Sequence, residues 1–209
     1  MKKKTPAPAP GRPREFDTEA ALDSALRVFW EKGYEGASLT DLTEAMGINR
    51  PSLYAAFGNK EALFRRALER YVSGPASYVQ EALAQPTARA AAEMLLTRTA
   101  QSLTDGRNPP GCLFIQSALA CGDDAGPVRD ELAKARCRIL QSVRDRFERA
   151  RQEGELPAGT DTCRLARFIC TVMQGMSVQS CSGACRGDLS GVVEMALRVW
   201  PAPPPRTRR

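Results

Sequence analysis

Arg50, Ser52 and Tyr54 are polar side chains within a short segment whose remaining residues are mostly apolar. An arginine can donate two hydrogen bonds to guanine or to a phosphate, and hydroxyl groups suit phosphate oxygens. Pro51 offers an apolar surface to a thymine methyl group. These residue types predict a short helix that enters the major groove of DNA. The alternative for Tyr54 is a buried position in the core of its domain.

Two short helices joined by a tight turn would present these side chains, and residues 38–57 carry the signals for them. Ser38 and Asp41 have the spacing of a capping box, and Gly47 suits the left-handed position after a helix. Asn49 is a good cap for the second helix. Helices this short need a scaffold of flanking helices, because isolated ones are marginal in water. The same pattern also fits an ordinary helical hairpin with a solvated face.

Further phosphate contacts are expected where helices begin, since free backbone N–H groups and the helix dipole attract anions there. Ser38 and Thr40 begin the first helix of the pair, and Lys60 begins the helix that follows it. Arg12 and Arg14 lie in a basic arm that either reaches DNA or is only a solubilising tail. The candidate DNA-binding residues are Arg12, Arg14, Ser38, Thr40, Asn49, Arg50, Pro51, Ser52, Tyr54 and Lys60.

A second, larger pattern extends from residue 16 to residue 68. It consists of Ala25, Phe29, Gly33, Tyr34, Ser38, Leu42, Gly47, Ser52, Leu53, Tyr54, Phe57 and the run Asn59-Lys60-Glu61-Ala62-Leu63. This combination closely resembles the DNA-binding domain of the TetR/AcrR family of bacterial transcriptional regulators, and Gly111-Cys112-Leu113 looks like a subgroup feature. The resemblance favours DNA contact by the two arm arginines. It implies an all-α fold of about nine helices, with an N-terminal three-helix helix-turn-helix domain and a C-terminal helical domain for ligand binding and dimerisation.

The resemblance also implies a function. A regulator of this family, most often a repressor, binds a palindromic operator as a dimer and is released by a small effector. A dimer also follows from the mechanism, because two reading heads ~34–36 Å apart can read a palindrome on one face of DNA. We therefore expect three partners: double-stranded DNA, a second copy of the chain and a small-molecule effector of unknown identity. The effector should be hydrophobic or aromatic, and no cofactor is expected.

The composition of the 209 residues argues against several other classes of protein. There is no histidine, which removes the commonest general base and metal ligand. The sequence contains no run of 18 apolar residues, so no membrane span is predicted. The basic N-terminus lacks the apolar segment of a secretory signal. The net charge of +6 is unevenly spread, because residues 1–15 are basic whereas residues 16–73 are nearly balanced. This favours local DNA contacts over a broad polyanion-binding surface. The seven cysteines are scattered, and the lack of a secretory signal indicates a cytoplasmic location, so we expect mostly reduced thiols.

The chain divides at its Pro- and Gly-rich stretches. We predict a disordered basic arm over residues 1–14, a helix-turn-helix domain over 15–73 with its motif at about 38–57, a helical effector-binding and dimerisation domain over 74–200, and a disordered tail over 201–209. Gly74-Pro75 should break the helix that joins head to body. Body helices are expected over residues 87–105, 112–121, 127–153, 162–178 and 189–200. Residues 112–121 could form a strand by composition, but it would have no partner strand.

Two sets of residues in the body are assigned on the strength of the resemblance. The last two helices are more apolar than one face of a monomer needs, which favours a dimer interface over an ordinary core. That interface is expected at Phe168, Val172, Met176, Val192, Val193, Ala196 and Trp200. An effector pocket is expected at Leu103, Cys112, Phe114, Cys121, Phe147 and Met173.

Cys181 and Cys185 form the sequence CSGAC. If this segment is helical, both thiols lie on one face and could share a soft metal ion. If it is a loop, which Gly183 favours, they could form a disulfide. Two thiolates make a poor metal site, so we predict none. A cysteine redox or metal switch on the same DNA-binding head remains an alternative. A thiol-based enzyme is a remote one, because a nucleophilic cysteine would have no histidine partner.

Overall fold

The computed structural model describes residues 16–119 and 126–201, where it contains ten helices and no strand. This confirms the all-α fold, with ten helices in that part of the chain where about nine were expected. The predictions for Arg12, Arg14, Cys121, the basic arm and the tail beyond Pro201 lie outside the described residues. The helices are α1 (Thr18–Gly36), α2 (Leu39–Met46), α3 (Arg50–Phe57), α4 (Lys60–Ser73), α5 (Tyr78–Leu83), α6 (Ala88–Leu103), α7 (Leu113–Leu119), α8 (Gly126–Gln152), α9 (Thr162–Cys181) and α10 (Arg186–Arg198).

The helix-turn-helix segment begins and ends where its cap residues predict. The Ser38 hydroxyl accepts a hydrogen bond from the Asp41 N–H, and the Asp41 carboxylate accepts one from the Ser38 N–H, which completes the capping box. Gly47 follows α2 in the left-handed conformation, with a φ of 65°. Asn49 caps α3 by accepting a hydrogen bond from the Ser52 N–H at 2.8 Å. Because each cap contributes about 1 kcal/mol, these two short helices have well-defined ends.

Helices α1 to α4 form the head, and α5 to α10 form the body. In the head, Phe29 and Trp30 of α1 and Phe64 of α4 are buried, and the Phe29 and Phe64 rings meet edge to face at 5.0 Å. Trp30 donates its indole N–H to the Gly111 carbonyl of the body at 2.9 Å. The buried cluster of the head also includes residues of α7 and α8, namely Leu113, Phe114, Val128 and Leu132. The two parts of the molecule therefore share one core.

The body packs α6 against α5, α9 and α10, and α8 against α9. α6 buries one face against the other body helices, and that face consists of Ala92, Leu95, Leu96, Thr99 and Leu103. At the far end of the body, Phe147 of α8 meets Trp200 edge to face at 5.3 Å. Within the described ranges, none of the helices combines the length and apolar character that a membrane crossing needs.

Several helix ends differ from the predicted ones. α10 begins at Arg186, three residues before the predicted start, because the Cys185 N–H donates to the Asp188 carboxylate at 2.8 Å and caps the helix earlier. α9 continues to Cys181, beyond the predicted end at residue 178. Gly33 interrupts α1, as a glycine often does near the end of a helix. The helical geometry breaks there, at a φ of 70°, but helical hydrogen bonding resumes and the helix ends at Gly36.

Arg146 of α8 is buried, whereas most arginines of folded proteins are exposed to solvent. Its Nη2 donates to the Gln85 carbonyl at 3.2 Å and lies 3.5 Å from a carboxylate oxygen of Glu155. The other Glu155 oxygen accepts a hydrogen bond from the Ala88 N–H at 2.6 Å. Within the described residues, Nε and Nη1 of Arg146 have no hydrogen-bond partner. Glu155 thus supplies the charge opposite Arg146 and also an acceptor at the start of α6.

Candidate nucleic-acid interface and effector pocket

α3 presents its predicted DNA-binding side chains to solvent. Arg50 and Pro51 are exposed, Ser52 is partly exposed, and Tyr54 keeps 47% of its surface accessible, so the buried alternative for Tyr54 is wrong. On the opposite face, Leu53 is completely buried. The helix is therefore anchored by its apolar face while its polar side chains point outward. This is the arrangement that entry into a major groove requires.

Arg50 is oriented by the first turn of α2. Its Nη2 donates a hydrogen bond to the Thr40 hydroxyl at 3.1 Å, and Thr40 and Ser38 are both exposed. The start of α2 and the start of α3 therefore form one continuous polar surface. The backbone N–H groups at the N-terminus of a helix favour an anion such as phosphate. This surface combines such a terminus with a guanidinium group.

Asp41 places a negative charge beside this surface, and Lys32 offsets it. The hydrogen bond from the Lys32 ammonium, together with those from Ser38, holds the pKa of the Asp41 carboxyl well below its usual range. Asp41 is therefore ionised at neutral pH and completes the capping box of α2 with Ser38. Because it is paired with Lys32, its charge opposes an approaching phosphate less than a lone carboxylate would.

Lys60 lies at the start of α4, as predicted, but it also contacts α1. Its Nζ lies 4.6 Å from the centroid of the Tyr34 ring and 3.5 Å from the Glu35 carbonyl oxygen. Desolvation lowers the pKa of this ammonium group. These contacts hold a positive charge where α4 meets the end of α1, next to the N-terminus of α2.

A partly enclosed pocket of about 80 Å³ lies in the body, between α4 and the helices α5 to α9. Four of the predicted pocket residues line it, namely Leu103, Cys112, Phe114 and Met173. Phe147 does not line it, because its ring packs against Trp200 in the core. The prediction for Cys121 lies outside the described residues.

Hydroxyl groups add polar character to this pocket. The Tyr78 hydroxyl is 3.0 Å from the Thr99 hydroxyl, and burial raises the pKa of Tyr78 to about 12. The Tyr71 hydroxyl donates to the Cys112 sulfur at 3.4 Å. Burial also raises the pKa of the Cys112 thiol. Sequence reasoning missed both tyrosines, because each also fits the apolar stripe of a helix, and that pattern does not distinguish core from pocket.

An open apolar groove runs along α9 and α10. The exposed apolar side chains that line it are Phe168, Val192 and Met195, with Val172 partly buried beside them, and Asp188 is the charged residue of the lining. Met195 is 60% exposed and was not predicted. The four other residues predicted for the dimer interface are buried within the protomer: Met176, Val193, Ala196 and Trp200. They belong to the core of the body, and of these four only Ala196 reaches the floor of the groove.

Comparison with known proteins places these features in a family. Residues 21–67 match the profile described as "Bacterial regulatory proteins, tetR family", and residues 89–181 match "Tetracyclin repressor-like, C-terminal domain". The HTH-type transcriptional repressor ComR of Escherichia coli K12 is 37% identical over 194 residues, spanning 91% of this chain and 92% of ComR. The chain belongs to the TetR family. The HTH-type transcriptional repressor BdcR of the same organism is 30% identical over 189 residues, spanning 90% of each chain.

A solved structure extends the match with TetR-family proteins to three dimensions. A cysteine mutant of the TetR family transcriptional regulator CifR, complexed with 26-bp double-strand operator DNA, is 46% identical in sequence and superposes with a TM-score of 0.87. The match covers 91% of the present chain and 100% of that one. The predicted family is therefore confirmed, and this TetR-family chain is a DNA-binding transcriptional regulator.

The two cysteines around Gly183 do not share a helix in this TetR-family protein. Cys181 is the last residue of α9 and Cys185 is the N-cap of α10, with Gly183 between them at a φ of 91°. The segment between them is therefore a loop, as Gly183 favours, but the disulfide that a loop would allow is not formed. Both cysteines are exposed, free thiols. In the part of the chain that the structure describes, no group of three or more cysteine and carboxylate side chains is placed to hold a metal ion.

Proposed function

We propose that the protein is a repressor that binds a palindromic operator as a homodimer and leaves it when a small hydrophobic effector binds in the body pocket. The observation that carries the proposal is α3, which is anchored by Leu53 and presents Arg50, Ser52 and Tyr54 outward. The relatives ComR and BdcR are transcriptional repressors, and the CifR mutant is bound to operator DNA, which supports the same function.

The predicted roles of the head residues divide into base contacts and phosphate contacts. Arg50 and Pro51 are proposed to read base edges in the major groove, where arginine favours guanine and an apolar group favours the thymine methyl. Tyr54, Thr40 and Lys60 are proposed to bind phosphates. Asn49 and Ser38 also serve as helix caps, so their side chains position the reading surface whether or not they touch DNA.

A binding-site selection followed by gel shifts tests these roles. Arg50→Ala should relax the preference at the base that it contacts, by about 1–3 kcal/mol. Tyr54→Phe and Lys60→Ala should instead weaken binding to a similar extent on every sequence. Arg144→Ala is a matched control because it removes an exposed arginine from the body. If Arg50→Ala selected the same motif with the same affinity as the wild type, the assignment of Arg50 would be wrong.

The second copy is proposed to dock at the α9–α10 groove. Phe168, Val192 and Met195 are exposed there on two adjacent helices, and an apolar patch of this kind often marks a protein interface. Met195→Asp should therefore convert the dimer to a monomer in sedimentation and abolish tight operator binding. Val72→Asp places the same charge at an exposed valine outside the groove and should leave the dimer intact. A dimeric Met195→Asp protein would contradict this placement.

Tyr71 is proposed to couple the pocket to the head. It belongs to α4, lines the pocket, and packs edge to face against both Trp30 of α1 at 4.8 Å and Phe114 of α7 at 5.7 Å. A ligand that displaced Tyr71 would therefore push on α4 and α1 together. An effector acts in this way only if it binds the released state more tightly than the DNA-bound state.

Control of DNA binding by the Cys181 thiol is a second candidate function, and one contact in the structure favours it. A Cβ at Gly111 would lie 2.5 Å from the Cys181 sulfur, and the Gly111 carbonyl accepts the indole N–H of Trp30 in the head. Cys181 is an exposed residue, and any group added to its sulfur would press on the segment that holds Trp30. The test compares operator affinity before and after mild treatment with hydrogen peroxide, in the wild type and in Cys181→Ser. Loss of affinity in the wild type alone would support the switch, and equal behaviour of the two proteins would exclude Cys181.

A further inference from the structure

Arg136 gives the body pocket a positive charge. Among the described residues that line this pocket, Arg136 is the one charged side chain, and the others are apolar or neutral. Arg136 is partly buried as a residue, and its Nη1 lies 3.5 Å from the carbonyl oxygen of Phe114, itself a pocket residue, which is at the limit for a hydrogen bond. Within the described parts of the chain, no carboxylate forms an ion pair with it. The charge thus faces a largely apolar space with little compensation.

The neutral polar groups of the pocket are largely engaged with one another. Tyr78 and Thr99 share a hydrogen bond, and the Ser177 hydroxyl accepts one from the Cys112 N–H at 2.9 Å. Burying a charge without a counter-charge is unfavourable, and an anionic group would remove that cost at Arg136. A carboxylate suits a guanidinium best, because the two can form paired hydrogen bonds.

A cleft next to the pocket is also positively charged, which again favours an anionic ligand. It shares Tyr78 and Ser102 with the pocket, opens to solvent, and is lined by three arginines and one aspartate, namely Arg98, Arg107, Arg186 and Asp105. Asp105 already pairs with Arg107, and Arg186 donates to the Thr104 hydroxyl. The cleft therefore carries an excess of positive charge next to the pocket. Such a field raises the local concentration of anions.

We propose that the effector is a small apolar molecule with one anionic group, a carboxylate or its equivalent, that pairs with Arg136 inside the pocket. Its apolar part would contact Leu103, Ile139 and Met173. This inference rests on the proposed function, because it takes the body pocket to be the effector site. It adds to that function a charge preference that apolar lining alone would not give.

Calorimetric titration of the full-length protein with three acids and their primary amides tests the inference. The acids are benzoate, phenylacetate and hexanoate, and each amide keeps the shape but removes the charge. The wild type should bind at least one acid about tenfold more tightly than its amide, as expected for a charge-assisted hydrogen bond in place of a neutral one. Arg136→Met should bind that acid and its amide equally, and Arg136→Lys should retain part of the preference for the acid.

Arg138→Met is the matched control, because Arg138 is exposed on the same helix and is absent from the pocket lining. It should bind the acids as the wild type does. Thermal melting checks that each variant is folded, and Arg136→Lys replaces Arg136→Met if the latter is not. No preference for any acid in the wild type, or an undiminished preference in the folded Arg136 variants, would overturn the inference. Operator binding without ligand is measured in parallel. If the protein did not bind the operator, the proposed function would be contradicted, whereas the measured preference for acids would still hold.

Discussion

Replacing Glu155 by glutamine should destabilise the protein because it leaves the buried Arg146 without a counter-charge. The Arg146 side chain is only 3% exposed, and its Nη2 lies 3.5 Å from the Glu155 carboxylate. A glutamine has nearly the same shape and can still accept the hydrogen bond from the Ala88 N–H. The substitution therefore isolates the effect of the negative charge.

The size of the effect follows from the burial of the two partners. Breaking a buried ion pair by removing one partner costs about 3–5 kcal/mol. Glu155 keeps 24% of its side chain exposed, so water reaches it and we expect the lower end, a loss of about 3 kcal/mol in the free energy of unfolding. Arg146→Met in the same background removes the uncompensated charge. The double variant should therefore return to within about 1 kcal/mol of the wild type.

Urea unfolding followed by circular dichroism measures these values. All variants are compared at one protein concentration, since the apparent stability of the proposed dimer would depend on concentration. Glu153→Gln is the control, because Glu153 is exposed two residues away, and it should stay within about 0.5 kcal/mol of the wild type. The reasoning would be refuted if Glu155→Gln matched this control, or if the double variant were no more stable than Glu155→Gln alone.

Three further substitutions have predicted outcomes. Asn49→Ala removes the cap of α3 and should cost about 1 kcal/mol in urea unfolding; a change below about 0.3 kcal/mol would show that the cap is dispensable. Gly111→Ala combines a φ of 84° with the contact to the Cys181 sulfur, so it should cost about 2 kcal/mol, and adding Cys181→Ala should restore only part of that loss. Full restoration would mean that the backbone conformation is unstrained. Hydrogen bonds from Arg151 lower the pKa of Glu148 to about 2, so its contribution is present above the unfolded pKa of roughly 4.3 and is lost as the pH falls towards 2. Urea midpoints measured between pH 5 and pH 2 should therefore fall less steeply in Glu148→Gln, and identical slopes would contradict the shift.

The sequence was sufficient to predict the head because its signals are local. Three signals, the capping box of Ser38 and Asp41, the left-handed Gly47 and the cap at Asn49, each depend on residues within one turn. All three are found where the pattern predicts them. The exposure of α3 is a consequence of these signals and follows from the same short segment. Helices of the body were predicted with errors of a few residues at their ends, for example where Asp188 caps α10 early.

The groove and the pocket could not be predicted in the same way, since they depend on how distant helices pack. α10 has apolar residues around most of its circumference, so its sequence pattern does not indicate which of them face the protomer core. Val193 faces inward and Met195 faces outward, two positions further along. The sequence pattern also did not predict that Arg136 lines the pocket or that Arg146 is buried. On a helix as rich in arginine as α8, only tertiary contacts distinguish these two from the solvated ones.

The shared core of head and body limits how such regulators can be recombined. α1 is covered by Leu113 and Phe114 of α7, and Trp30 bonds to the loop before that helix. A head transplanted onto the body of a relative would meet unfamiliar side chains on this side and would lose the partner of its indole group. Chimeras that exchange operator specificity should therefore carry α7 along with the donor head, or restrict the exchange to the solvent-facing positions of α3.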